Sequence, residues 1–133
     1  MPDFSFSIAG VPVPQARPKL SRFRTYDPKY KEKQLTRAIL KTQWGTRSPL
    51  TGKVSITLSF MMPVPKSMSK KKRVELIETK AAHIIKPDLD NLIKFILDCM
   101  NSIVLFDDSL VSDIKATKSY AGFAETLITV SVA

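Results

Sequence analysis

The chain has 133 residues, 44% hydrophobic and 25% charged, which suffices for one domain with its own core and argues against disorder. Its formal net charge of +9 is uneven: residues 1–86 carry 18 Lys/Arg against 5 Asp/Glu, a balance of +13, and residues 87–133 carry 3 against 7, a balance of −4. No apolar run approaches the roughly 20 residues that span a bilayer, Met1-Pro2-Asp3 does not open a signal peptide, and a lone cysteine excludes an intramolecular disulfide.

In chain order, Phe4, Phe6 and Ile8 alternate with small residues, a period of two that predicts a half-buried strand. From Val11 to Pro28, four prolines punctuate Arg17, Lys19, Arg22 and Arg24, with Phe23 and Tyr26 between the charges. That proline density predicts an extended, exposed arm without ladder pairing. Its guanidinium groups suit phosphates and its aromatics suit unpaired bases, although a solvated connector would look the same. A helix is expected from Tyr30 to Gly45, with Tyr30, Leu35, Ala38, Ile39 and Thr42 near its apolar face. Trp44 is expected as a core or dimer anchor.

Val54, Ile56, Leu58 and Phe60 form the clearest strand, closed by Met62-Pro63-Val64-Pro65. Ser67 or Ser69 can cap a short helix through Lys70, Lys71, Lys72 and Arg73 to about Glu78. Four cations at a helix N-terminus oppose its dipole, a placement that makes sense opposite an anionic partner. His83 is the only histidine, a poor basis for a metal or acid-base role. The chain ends in two strands near Val111 and Leu127, for which a hairpin around Gly122 is the simplest pairing.

Between these lies the acidic segment. Leu89, Leu92, Ile93, Ile96, Leu97 and Met100 have the spacing of an amphipathic helix, with Asp90, Lys94, Asp98 and Asn101 on the other side. Cys99 lies beside the apolar positions, as a small buried residue would. Pro87 keeps Lys86 out of helical angles, so Asp88 enters extended or as N-cap and can point to the same side as Asp90. In a complete helix the two would be about 200° apart. Taken singly, these acids read as a cap, an Asp90–Lys94 pair and an Asp107-Asp108 turn. Were Asp108 to join Asp88 and Asp90, carboxylates about 5 Å apart would repel by roughly 3 kcal/mol per pair at a dielectric of about 20. A cation or a raised proton affinity would be needed; for a cation, oxygen-only ligands favour Mg²⁺ or Mn²⁺.

The run Lys86-Pro87-Asp88-Leu89-Asp90-Asn91-Leu92 with Lys94, then Leu97-Asp98, then Phe106-Asp107-Asp108 with Val111 and Asp113, resembles the signature of the RusA family of Holliday junction resolvases. Val11-Pro12-Val13-Pro14, Arg17-Pro18 and Tyr26-Asp27-Pro28 are similar to the family's opening, with Gln15 and Ala16 standing where Lys and Gly are frequent. The resemblance implies a homodimeric, Mg²⁺-dependent endonuclease that nicks four-way DNA junctions in paired strands. It makes Asp88, Asp90 and Asp108 the metal-binding carboxylates and Lys94 the cleavage lysine. Arg17, Lys19, Arg22, Arg24, Lys70, Lys71, Lys72, Arg73 and Lys86 are the expected DNA contacts. The competing readings are a nucleic-acid-binding module without catalysis and a nuclease of the same fold acting on other branched DNA.

The expectation is therefore one domain over residues 1–133 of mixed α/β (α+β) class, a sheet of about four strands packed by two main helices. It would act on branched DNA in the cytoplasm, at the nucleoid, whether of cellular or prophage origin, with no membrane association.

Overall fold

The computed structural model describes residues 3–132. Strand β1 (Asp3–Ala9) leads to a short ribbon of β2 (Lys19–Leu20) and β3 (Thr25–Tyr26), then to helix α1 (Tyr30–Trp44) and strand β4 (Val54–Met62). Helices α2 (Lys70–Glu78) and α3 (Leu89–Met100) precede strands β5 (Val111–Tyr120) and β6 (Glu125–Val132). Met1 and Pro2, at the start that does not read as a signal peptide, lie outside the described residues.

The main sheet has the order β1-β6-β4-β5, with β4 and β5 parallel and the remaining pairs antiparallel. This is the expected mixed α+β architecture of four strands, but the expected hairpin does not form. β5 and β6 flank β4 instead of pairing with each other. The reason lies in burial. Val54, Ile56, Leu58, Phe60 and Met62 of β4 are all buried, so the most apolar strand takes a central position, whereas β5 is mostly exposed and takes an edge. The link from β5 to β6 passes the end of β4, where the Ala121 N–H donates to the Met62 carbonyl at 2.9 Å.

Helix α1 forms as expected and turns differently. Thr36, Leu40 and Trp44, one helical turn apart, are buried, while Tyr30 and Leu35 are 62% and 68% exposed and Ile39 also faces outward. Trp44 decides the rotation: its indole meets Phe4 edge-on at 4.9 Å and lies 6.1 Å from Phe6, beneath the Arg47 guanidinium at 4.3 Å. Trp44 is thus a core residue.

Helix α2 runs over the expected residues, and the Ser69 hydroxyl accepts from the Lys72 N–H at 3.2 Å; none of its residues is buried. In α3 the expected stripe widens to include Phe95 and Cys99 alongside Leu92, Ile96 and Met100, while Leu89, Ile93 and Leu97 are only half-buried. Burying each large apolar side chain of this row contributes about 1.5–3 kcal/mol. His83 is buried against Tyr120, ring centroids 4.9 Å apart, in a packing role.

The arm between β1 and α1 departs from the expectation that its prolines forbid pairing. Pro12, Pro14, Pro18 and Pro28 all lie outside the rungs, so Lys19 pairs with Tyr26 and Leu20 with Thr25 in a two-rung antiparallel ribbon.

Candidate active site

Asp88 occupies the N-cap position of α3 with extended backbone angles, and its carboxylate makes no capping hydrogen bond. The Lys86 ammonium instead reaches it at 2.7 Å in an exposed ion pair. Asp90, in the first turn, accepts from the Asn91 N–H at 2.9 Å. Among the described residues no ion pair joins Asp90 to Lys94, so the simple cap and i,i+4 pairing are both absent. Asp88 is thus held only by an exposed lysine and Asp90 only by its neighbour's N–H, and Lys94 makes no ion pair among the described residues.

They face a common opening. Asp88, Asp90, Asn91 and Lys94 line one wall of a cleft of about 490 Å³, and Gln15, Ala16, Arg17 and Pro18 line the other. The walls are joined where the Gln15 N–H donates to the Asn91 carbonyl at 2.8 Å. The Gln15 Oε1 is buried without a partner. In the sequence Gln15 and Ala16 stand out only as departures from a motif, because no local pattern reveals a contact with a residue some 75 positions away. Arg17 brings a cation to the cleft, and Lys19, Arg22 and Arg24 continue from it along the exposed ribbon.

Helix α3 is held at both ends. Ahead of it, the Lys118 ammonium donates to the carbonyls of Ile85 (2.7 Å) and Pro87 (2.6 Å). At its far end, Arg37 Nη1 donates to the carbonyls of Asp98, Cys99 and Asn101, at 3.3, 3.2 and 2.8 Å. A cation on terminal carbonyls satisfies orphan acceptors and opposes the negative end of the helix dipole. Lys33 adds a bridge, 2.6 Å from Asp27 and 3.3 Å from Asp98. The hydrogen bond from Lys33 holds the Asp27 carboxyl below its usual range, outweighing burial. Burial pulls the Lys33 ammonium down, but its bonds to Asp27 and Asp98 outweigh this and leave it raised.

Asp108 opens the short 3-10 turn Asp108–Leu110 and does not line the cleft. It precedes Val111, whereas the segment before Asp88 is tied to Lys118, seven residues on, roughly 23 Å along β5 at about 3.3 Å per residue. Among the described residues, no group of three His, Cys, Asp or Glu side chains closes to metal-ligand spacing. Asp107 caps the turn, and its hydrogen bonds from Ser109 lower its carboxyl pKa. Lys70, Lys71, Lys72 and Arg73 lie on α2, away from the cleft lining, and Arg73 is partly engaged with the Pro65 carbonyl at 3.3 Å.

The cleft offers two carboxylates and amide groups, an oxygen donor set that fits a hard divalent ion retaining part of its water shell. Beside them stand Lys94 and Arg17, cations placed for phosphate. A second opening, about 450 Å³, is lined by Arg37, Lys41, Trp44 and Arg47 and has no carboxylate in its wall. No helix among the described residues is long and apolar enough to cross a membrane.

The comparisons with known proteins agree with this chemistry. The family model described as endodeoxyribonuclease RusA matches residues 9–131. The chain is also similar to the uncharacterized protein YqaN of Bacillus subtilis (strain 168), at 34% identity over 125 residues covering 87% of each chain. With nearly its whole length matched, the chain belongs to the RusA family of endodeoxyribonucleases, divalent-metal-dependent Holliday junction resolvases that act on branched DNA.

Proposed function

We propose that the cleft between Gln15–Pro18 and the start of α3 is where the four-way junction is nicked, and that Asp88 and Asp90 hold Mg²⁺ there, with Mn²⁺ as a substitute. The observation that carries this is the sharing of one cleft by Asp88, Asp90 and Lys94, with neither a cap nor an Asp90–Lys94 pair engaging them. When bound, the ion would supply Lewis acidity at the scissile phosphate and an activated water. Lys94 faces the same space and neutralises charge developing on the phosphate oxygens. Asp108 is the third carboxylate of the set; its support is the sequence pattern alone, since this chain's geometry does not bring it to the cleft.

Arg17 on the cleft wall, with Lys19, Arg22 and Arg24 beyond it, takes phosphates of the strand leading to the cut. Lys86 exchanges the Asp88 carboxylate for a phosphate when DNA arrives, which frees Asp88 for the ion. Lys70, Lys71, Lys72 and Arg73 extend the basic surface over another part of the duplex. The setting is the cytoplasmic nucleoid.

Two opposed strands require two sites, and a homodimer provides them at fixed separation. The outward row of α1, with Leu35 68% exposed and Ile39 one turn further on, supports a second copy docking there. The central test is Asp90→Asn on a four-way junction: binding should persist while Mg²⁺-dependent nicking disappears. Retained nicking would remove Asp90 from the site.

A further inference from the structure

The ribbon β2–β3 carries a feature that phosphate binding does not use. Phe23, at its turn, is 88% exposed, and Leu20 beside it is 84% exposed. Large apolar side chains at this exposure have no packing role within the chain. The turn is nevertheless stiffened: the Ser21 N–H and hydroxyl donate to the Arg24 carbonyl at 2.7 and 2.8 Å, and the Arg24 N–H donates back to the Ser21 hydroxyl at 3.2 Å. The Arg22 guanidinium lies 5.4 Å from the centre of the Phe23 ring. An aromatic ring is thus presented on a rigid, cationic support.

Two further observations fix what it would meet. Beside the ribbon is a cavity of about 510 Å³ lined by Ser21, Arg24, Thr25, Tyr26, Asp27 and Tyr30, within the roughly 300–1,000 Å³ of small-ligand sites. Two tyrosines and an arginine suit a flat aromatic ring that carries a phosphate. The ribbon also follows directly on Pro18, in the wall of the cleft, so DNA held at the cleft lies next to it.

We propose that the β2–β3 ribbon unstacks bases at the branch point: Phe23 stacks on an exposed base face, and the Tyr26–Tyr30 cavity receives the displaced base. This rests on the cleft reading above and names how the branch is distinguished from a plain duplex. Phosphate contacts cannot make that distinction, because every duplex offers them. An exposed base face is found where the stack is interrupted.

The test uses the full chain carrying Asp90→Asn, with 2-aminopurine placed in a four-way junction either at the branch point or about one helical turn out along an arm. If this protein shows no preference for junction over duplex, the ribbon proposal fails; the cleft reading fails separately, if Asp90→Asn still nicks the junction. Given that preference, binding should raise fluorescence at the branch position only. Adding Phe23→Ala should abolish the rise and weaken junction binding about 5- to 160-fold, the range expected for one base–aromatic stack. Its duplex affinity and salt dependence should not change, and Phe23→Trp should restore both the fluorescence and the affinity. An undiminished fluorescence rise in Phe23→Ala, or an equal loss on junction and duplex, would overturn the proposal. Phe23 makes no core contact, so folding does not confuse the result; unchanged thermal unfolding of Phe23→Ala checks this directly.

Discussion

Lys118, on the edge strand β5, donates from its ammonium to the carbonyl of Pro87 at 2.6 Å, one residue ahead of Asp88. The same ammonium holds the Ile85 carbonyl at 2.7 Å, and the Lys118 carbonyl accepts from the His83 N–H at 3.0 Å. A single residue thereby fastens the approach to the site from side chain and main chain together. Lys118→Met removes two charge-assisted hydrogen bonds and leaves two carbonyls for water, a loss of roughly 1–3 kcal/mol. Thermal unfolding should fall accordingly. Because Asp88 is displaced, the Mg²⁺ concentration for half-maximal nicking should rise, while metal-free junction affinity stays near wild type. Lys118→Arg should recover part of both losses.

Lys94 is exposed and unpaired with Asp90, so its removal should not weaken the fold. Lys94→Ala is expected within about 0.5 kcal/mol of wild type in stability. Its nicking rate on a junction should drop on the order of 10²–10³-fold, as when a transition-state charge partner is lost. A large loss of thermal stability with an intact rate per folded molecule would make Lys94 structural.

The outward row of α1 makes a separate prediction. Leu35→Glu with Ile39→Glu places like charges on a face that the fold itself leaves open, so each chain should fold normally. Sedimentation should report dimers for the wild type and monomers for this double variant. Nicking of opposite strands should lose its pairing within one binding event.

Stability should depend on pH through His83. Burial, followed by the nearby Lys118 charge, holds its imidazole below the usual range. A depressed folded pKa means that the unfolded chain binds the proton more readily. The contribution is therefore present above about pH 6.5, the unfolded value, and is lost as pH falls through the lower folded value. Unfolding temperature should decline on acidification over that interval, and His83→Leu should remove this part of the slope. Asp27, held low by Lys33, adds a further decline below about pH 4.

Cys99 is fully buried, and burial pushes its thiol up to about 12 despite the nearby Lys33 and Arg37. Alkylating reagents should react in the native protein only as fast as α3 opens. Modification that tracks denaturant-induced unfolding would agree; rapid native labelling at neutral pH would contradict the burial.

The alternation of Val54 to Phe60, the i, i+3, i+4 spacing from Leu89 to Met100, the cap at Ser69 and the extended entry of Asp88 at the start of α3 were legible in the sequence, because they depend on backbone period and nearest neighbours. So was the motif joining Asp88, Asp90 and Lys94, since a helix start puts residues so closely spaced near one another. Strand partners were not legible. Which strand sits beside β4 depends on total apolar burial across the sheet, and the hairpin rule sees only the turn at Gly122. The buried face of α1 likewise followed from Trp44 meeting Phe4, some 40 residues away, and not from the helix's own periodicity. The opposite wall of the cleft was hidden for the same reason: only the Gln15–Asn91 hydrogen bond places Gln15 to Pro18 beside the carboxylates. Local pattern thus determined the elements and the chemistry they carry, and non-local packing decided which of those groups share a space.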